Sequence, residues 1–99
     1  MSSDTQRIRD FQRRVTMLYQ AYGEIDDLEG GPIKAEVRDI DNLQASVRAA
    51  TLGAVVEAEE EWGGIEQAPQ AYRIALCDLR DLRQDLITLR FKANQGPNQ

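Results

Sequence analysis

The stretch Tyr72-Arg73-Ile74-Ala75-Leu76-Cys77-Asp78-Leu79-Arg80-Asp81-Leu82-Arg83-Gln84-Asp85-Leu86-Ile87-Thr88-Leu89 decides the fold. Tyr72, Ala75, Leu79, Leu82, Leu86 and Leu89 recur at alternating spacings of 3 and 4, which is the heptad seam of a helix packed against other helices. No Gly or Pro interrupts it. The N-terminal segment repeats the pattern with Ile8, Phe11, Val15, Leu18, Tyr22 and Ile25. The two seams even share a local likeness, Ile8-Arg9-Asp10-Phe11 against Leu79-Arg80-Asp81-Leu82. A common heptad demand accounts for this likeness more simply than a duplication does.

Working outward, Gly and Pro punctuate the chain at Gly30-Gly31-Pro32, Trp62-Gly63-Gly64, Pro69 and Gly96-Pro97. Gly just past a helix end and Pro at the next start are the expected asymmetry. The marks predict helices over 4–29, 33–62 and 67–94 in one domain, with a disordered tail at 95–99. Gly23 and Gly53 fall inside helices, where each costs about 1 kcal/mol relative to Ala. Ser3-Asp4-Thr5-Gln6 fits a capping box with Ser3 as N-cap. No alternating Val/Ile/Thr run predicts a strand.

The second helix has a different pattern. Ile33, Val37, Ile40, Leu43 and Val47 form one stripe. From Ala45 onward, Ala49, Ala50, Leu52, Ala54, Val55 and Val56 spread around the cylinder. A helix apolar on most sides touches neighbours on most sides, so this one is expected in the middle or against a second chain. The predicted fold is all-α, an up-down-up three-helix bundle with coiled-coil-like seams that a second chain can complete. Charge agrees with that arrangement. Antiparallel packing brings Glu57, Glu59, Glu60 and Glu61 beside Arg7, Arg9, Arg13 and Arg14. It also brings Arg90 and Lys92 beside Glu24, Asp26, Asp27 and Glu29. Exposed pairs of this kind stabilise little, under about 1 kcal/mol each, but their consistent sign selects an orientation.

Composition bounds the function. Ninety-nine residues with 41% apolar content support one modest core. Twelve basic and 17 acidic residues give a net charge of −5, which disfavours a general grip on nucleic-acid phosphates. The uncharged run from Ala49 to Val56 is too short to cross a bilayer, and Met1 to Arg14 lacks the apolar stretch of a signal peptide. The single Cys points to a reducing compartment, here read as the cytoplasm. The absence of His removes most zinc sites and every Ser-His or Cys-His catalytic pair.

The densest charge feature is Glu57, Glu59, Glu60 and Glu61. Glu57-x-x-Glu60 followed by Asp78-x-x-Asp81 puts two carboxylates on one face of each helix, and together the four are oxygen donors suited to Mg²⁺. This loosely resembles the all-α, MazG-like nucleotide pyrophosphohydrolases, which pair Glu-x-x-Glu with Glu-x-x-Asp and need no His. The resemblance implies that Glu57, Glu60, Asp78 and Asp81 hold the metal and that water attacks a phosphate. Asp78 stands where that family has Glu, and the bundle places it roughly 14 Å along the axis from the Glu57 end. A solvated acidic helix end is therefore the preferred reading. Trp62-Gly63-Gly64 resembles the Trp-x-Gly turn of a family of secreted helical hairpins, whose export signal is absent because Leu76 follows Tyr72 at its spacing. Here Trp62 is expected to close the bundle end. Cys77 lies off the seam and is expected half-buried, as a small apolar residue.

Ile74, Ile87 and Phe91 on the third helix, and Met17, Tyr19 and Leu28 on the first, also lie off the seams. Together with the second helix they make an apolar surplus that marks a partner surface. The expected function is that of a small acidic non-enzymatic protein without cofactor or metal. It would act through contacts with another protein or with itself as a homodimer, and not with nucleic acid or a membrane. An adaptor, an assembly component or a phage or bacterial inhibitor would fit. Leu52, Val55, Val56, Ile87 and Phe91 are the expected contact residues. The alternative is the MazG-like Mg²⁺-dependent hydrolase.

Overall fold

A computed structural model describes residues 4–26 and 37–95. It contains three long helices, α1 (Asp4–Asp26), α2 (Val37–Trp62) and α3 (Gln70–Gln95), and a 3₁₀ turn at Ile65–Gln67. No strand occurs among the described residues. Each helix packs on the other two. Phe11 of α1 stacks on Tyr72 near the start of α3, and Tyr19 reaches Asp78 one stage further along both, so α1 and α3 run parallel. Arg7 near the start of α1 pairs with Glu57 and Glu61 near the end of α2, while Arg90 near the end of α3 pairs with Asp41 near the start of α2. The arrangement is thus up-down-up.

All six predicted seam residues of α3 are buried, together with Leu76 and Ala93. Against them lie Phe11 and Val15 from α1 and Ile40, Leu43, Val47, Ala50, Ala54 and Ala58 from α2, with Ala68 below. The other α1 seam residues, Ile8, Leu18, Tyr22 and Ile25, are partly buried against this core. The alanines let α2 approach both neighbours closely, because a methyl group leaves little to separate the backbones. Ala45, Ala49, Leu52 and Val56 face outward instead.

The turn after α2 follows from its glycines. Gly63 has φ +85° and Gly64 φ +144°, where an L side chain is strained. Their N–H groups donate to the Glu59 and Ala58 carbonyls at 3.2 and 3.1 Å, satisfying helix-end acceptors that would otherwise lack partners. Trp62 packs edge-on against Tyr72, with ring centroids 4.8 Å apart, and closes the bundle end as expected. The carbonyl of Pro69 accepts the Arg73 N–H at 3.1 Å and opens α3. Gln67, expected at the start of the third helix, belongs instead to the 3₁₀ turn that brings Ala68 under the core. The Ser3 cap, Asp27, Leu28, Glu29, the Gly30-Gly31-Pro32 break, Ile33 and the tail beyond Gln95 lie outside the described residues.

The charge expectation holds for Arg7 at one end; at the other, Asp27 and Glu29 lie outside the described residues. Arg7 lies 2.9 Å from Glu61 and 3.7 Å from Glu57. Arg90 turns to α2. Its Nε and Nη2 donate to Asp41 Oδ1 and Oδ2 at 2.6 and 3.3 Å, a side-on fork that suits both planar groups. The physical reason is position: Arg90 lies on the edge of α3 that faces α2. The Arg90 hydrogen bond, and then its charge, hold the Asp41 carboxyl below its usual value. A lowered folded-state pKa contributes stability above the unfolded value, near 4, that is lost as pH falls through the lowered one. Asp41→Asn is therefore expected to flatten the acid limb of stability in urea unfolding followed from ~pH 5 to ~pH 2. Identical limbs in the two proteins would contradict this role.

Gly53 is a helix-interior glycine with open space where a Cβ would stand. Gly53→Ala is expected to raise stability by up to about 1 kcal/mol, through helix propensity and a less flexible unfolded chain. Thermal unfolding checks this, and a fall in melting temperature would contradict it.

Candidate protein-binding face

Helical phase fixes which edge of each helix faces which neighbour. On α3, Tyr72 donates to Glu57 at 2.6 Å and Arg90 meets Asp41, so this edge faces α2. Tyr19 Oη donates to the Asp78 carbonyl at 2.9 Å on the other edge, which faces α1. Ile87 lies three residues before Arg90 and Phe91 one after it. Both fall on the outer side of the α2-facing edge. On α2, Asp41, Arg48 and Val55 follow at heptad intervals along the edge facing α3. Leu52 lies about 60° outward of Val55, and Val56 about 100° outward, on the side of α2 away from the core.

The exposures are decisive. Leu52 is 65% exposed, Val56 46%, Ile87 45% and Phe91 62%. Val55, the fifth expected contact residue, is instead partly buried against the core. Helical phase sets it on the edge of α2 that faces α3. Large apolar side chains in water at one face of a small bundle mark an interaction surface when they cluster. Leu52 with Val56 and Ile87 with Phe91 are each one turn apart. Met17 and Ile74 are also exposed, at 61% and 53%, but on other faces: Met17 beside Arg13 and Arg14 of α1, and Ile74 over a groove with Gln12 and Thr16. Tyr19, grouped with them in the sequence, is partly buried and hydrogen-bonded.

Of the four carboxylates of the hydrolase reading, Glu57 is engaged by the Tyr72 hydroxyl and by Arg7. Glu60 is exposed on α2. Asp78 and Asp81 lie with Asp85 around Tyr19, on the α1 side of α3. Burial, and then these three charges, raise the Tyr19 pKa. Among the described residues, no group of three or more Cys, Asp or Glu side chains is placed to hold a metal ion. EDTA or added Mg²⁺ is accordingly expected to leave the melting temperature unchanged. A site specific to the folded state would stabilise it by about 2.7 kcal/mol at a hundredfold excess over its dissociation constant, and such a rise on adding Mg²⁺ would restore the hydrolase reading.

A groove of about 320 Å³ separates α1 from α2, with Phe11, Ala50, Gly53, Ala54 and Tyr72 among its walls and Arg7, Asp10, Arg14 and Glu57 at its rim. Its charges are mixed, and Arg7 and Glu57 are paired. Cys77 corrects the sequence reading. It is exposed, not half-buried, because it lies nearly half a turn from the direction shared by Leu76 and Leu79.

The chain has no match among protein-family models, curated proteins or solved structures. None of the described helices is long and apolar enough to cross a membrane.

Proposed function

We propose that this chain is a non-catalytic protein-binding module, working in the cytoplasm as an adaptor, assembly component or inhibitor, and that the α2/α3 face is its contact surface. The observation that carries the reading is the exposure, at 45–65%, of Leu52 and Val56 on α2 and of Ile87 and Phe91 on α3. The core is already complete without them, since the inward seams of all three helices pack on one another. Their burial by a partner would remove apolar area from water at roughly 25 cal/mol per Å². A non-catalytic role also fits the absence of His and the engagement of Glu57 in structural contacts.

Affinity capture from the source cells, with wild type and Phe91→Glu as paired baits, tests the reading. A glutamate at the centre of a buried apolar contact is costly, so proteins retained by wild type are expected to be lost from Phe91→Glu while the helical circular dichroism of the bait is unchanged. Identical captured sets would contradict the assignment of this face.

A further inference from the structure

The apolar residues of the α2/α3 face share it with a row of arginines. Arg73, Arg80 and Ile87 follow at heptad intervals on α3, as do Arg83 and Arg90. Arg48 lies on the α3-facing edge of α2, between Asp41 and Val55. Arg90 is neutralised by Asp41, and Arg73 Nε donates to the Ala68 carbonyl. Arg48, Arg80 and Arg83 make no ion pair among the described residues. Among the described residues, the acids Glu59 and Glu60 stand at its far end, one turn beyond Val55 and Val56.

This clustering runs against the chain's net charge of −5. The acids of α3, Asp78, Asp81 and Asp85, are segregated to its α1-facing edge around Tyr19. The face is therefore cationic on an acidic protein. Its layout is also specific. Tyr72 reaches Ala54 and Glu57, and Arg90 reaches Asp41. Leu52 and Val56 thus stand level with the start of α3, and Ile87 and Phe91 level with the start of α2. The two apolar patches are about 20 Å apart along the bundle, or about 13 residues of helix, and Arg48, Arg80 and Arg83 lie between them.

We infer that the face binds an acidic amphipathic α-helix of another protein, laid along the α2/α3 crease as a fourth helix. Apolar anchors about four turns apart on that helix fill the two patches, and Asp or Glu side chains between them pair with Arg48, Arg80 and Arg83. This rests on the α2/α3 face being the contact surface and adds the chemistry of what it contacts. Desolvating these arginines in an interface requires carboxylates opposite them, because an unpaired charge is costly to bury. A closed two-fold pair of this chain through the same face sets arginine rows against each other, which like-charge repulsion opposes. A polyanion such as nucleic acid would neutralise the arginines and leave the four apolar side chains in water.

The test is a displayed library of helical peptides about 20 residues long, with fixed leucine anchors and Glu, Lys or Gln randomised between them, selected on the intact protein. Glu is expected to enrich at the intervening positions. The selected peptide should lose at least about tenfold in affinity against Arg80→Glu/Arg83→Glu and against Phe91→Glu, and should weaken with added salt. The variants' circular dichroism serves as the folding control. Enrichment of Lys or Gln with binding still lost in Phe91→Glu would overturn the acidic partner and leave the contact face standing. No enrichment, or binding indifferent to Phe91→Glu, would overturn both. Three further results would overturn the acidic helix: tighter retention on phosphatidylserine vesicles, tighter retention on duplex DNA, or a dimer mass in light scattering that is lost in Phe91→Glu.

Discussion

Tyr72→Ala is expected to cost about 3–5 kcal/mol, the range for emptying a large aromatic site in a core. Tyr72 is fully buried and joins all three helices. Its ring lies 4.6 Å from Phe11 of α1 and 4.8 Å from Trp62 at the end of α2, contacts that add about 0.5–1.5 kcal/mol each beyond burial. Its hydroxyl donates to Glu57 Oε1 at 2.6 Å, with the Ala54 carbonyl oxygen 3.3 Å away. Burial first, and the Glu57 bond second, push the phenol well above the usual tyrosine range. A raised folded-state pKa contributes stability below the unfolded value, near 10, that is lost as pH rises through the raised one. Tyr72→Phe keeps the ring and removes the hydroxyl, so it should cost only about 1 kcal/mol at neutral pH. It should also flatten the alkaline limb of stability. Urea unfolding of the two variants separates ring from hydroxyl, and equal losses would refute the stacking role.

Leu79→Ala and Leu82→Ala are each expected to cost about 2–5 kcal/mol. Both side chains are fully buried at the middle of α3, against α1 and α2. A small domain has only about 5–15 kcal/mol in total, so the double variant is expected to be largely unfolded at 37 °C. Glu59→Gln, at an exposed position, should stay within about 0.5 kcal/mol of wild type. Thermal unfolding of the three single variants checks the ranking, and a Glu59→Gln loss exceeding that of Leu79→Ala would refute the seam.

The α3 seam was legible because a strict 3-and-4 spacing reports one face of a helix directly, and Leu79, Leu82, Leu86 and Leu89 are all buried. The α2 end at Trp62 was legible for a similar reason, since Gly acts through its own backbone, whereas the α3 start was expected at 67 and falls at Gln70. Leu76 and Arg90 were not legible. Leu76 follows the buried Tyr72 by one turn, on the side of α3 that faces α2, and both its burial and the partner of Arg90 depend on how α3 is rotated against α2. The proposed contact face was half legible. The surplus of Leu52, Val56, Ile87 and Phe91 over the seams could be read from spacing alone. That they share one face with Arg48, Arg80 and Arg83 could not, because it needs the relative rotation of two helices distant in sequence.

We propose that the outer apolar residues serve binding and that the inner seams serve folding. Equilibrium urea unfolding of the quadruple variant Leu52→Gln, Val56→Gln, Ile87→Gln, Phe91→Gln tests it most directly. Surface substitutions change stability by about 0.5 kcal/mol or less each, and well-separated ones add. The variant is therefore predicted to unfold cooperatively, within about 2 kcal/mol of wild type. A loss as large as that of Leu79→Ala and Leu82→Ala combined, or failure to fold, would show that these side chains hold the bundle together and contradict the claim.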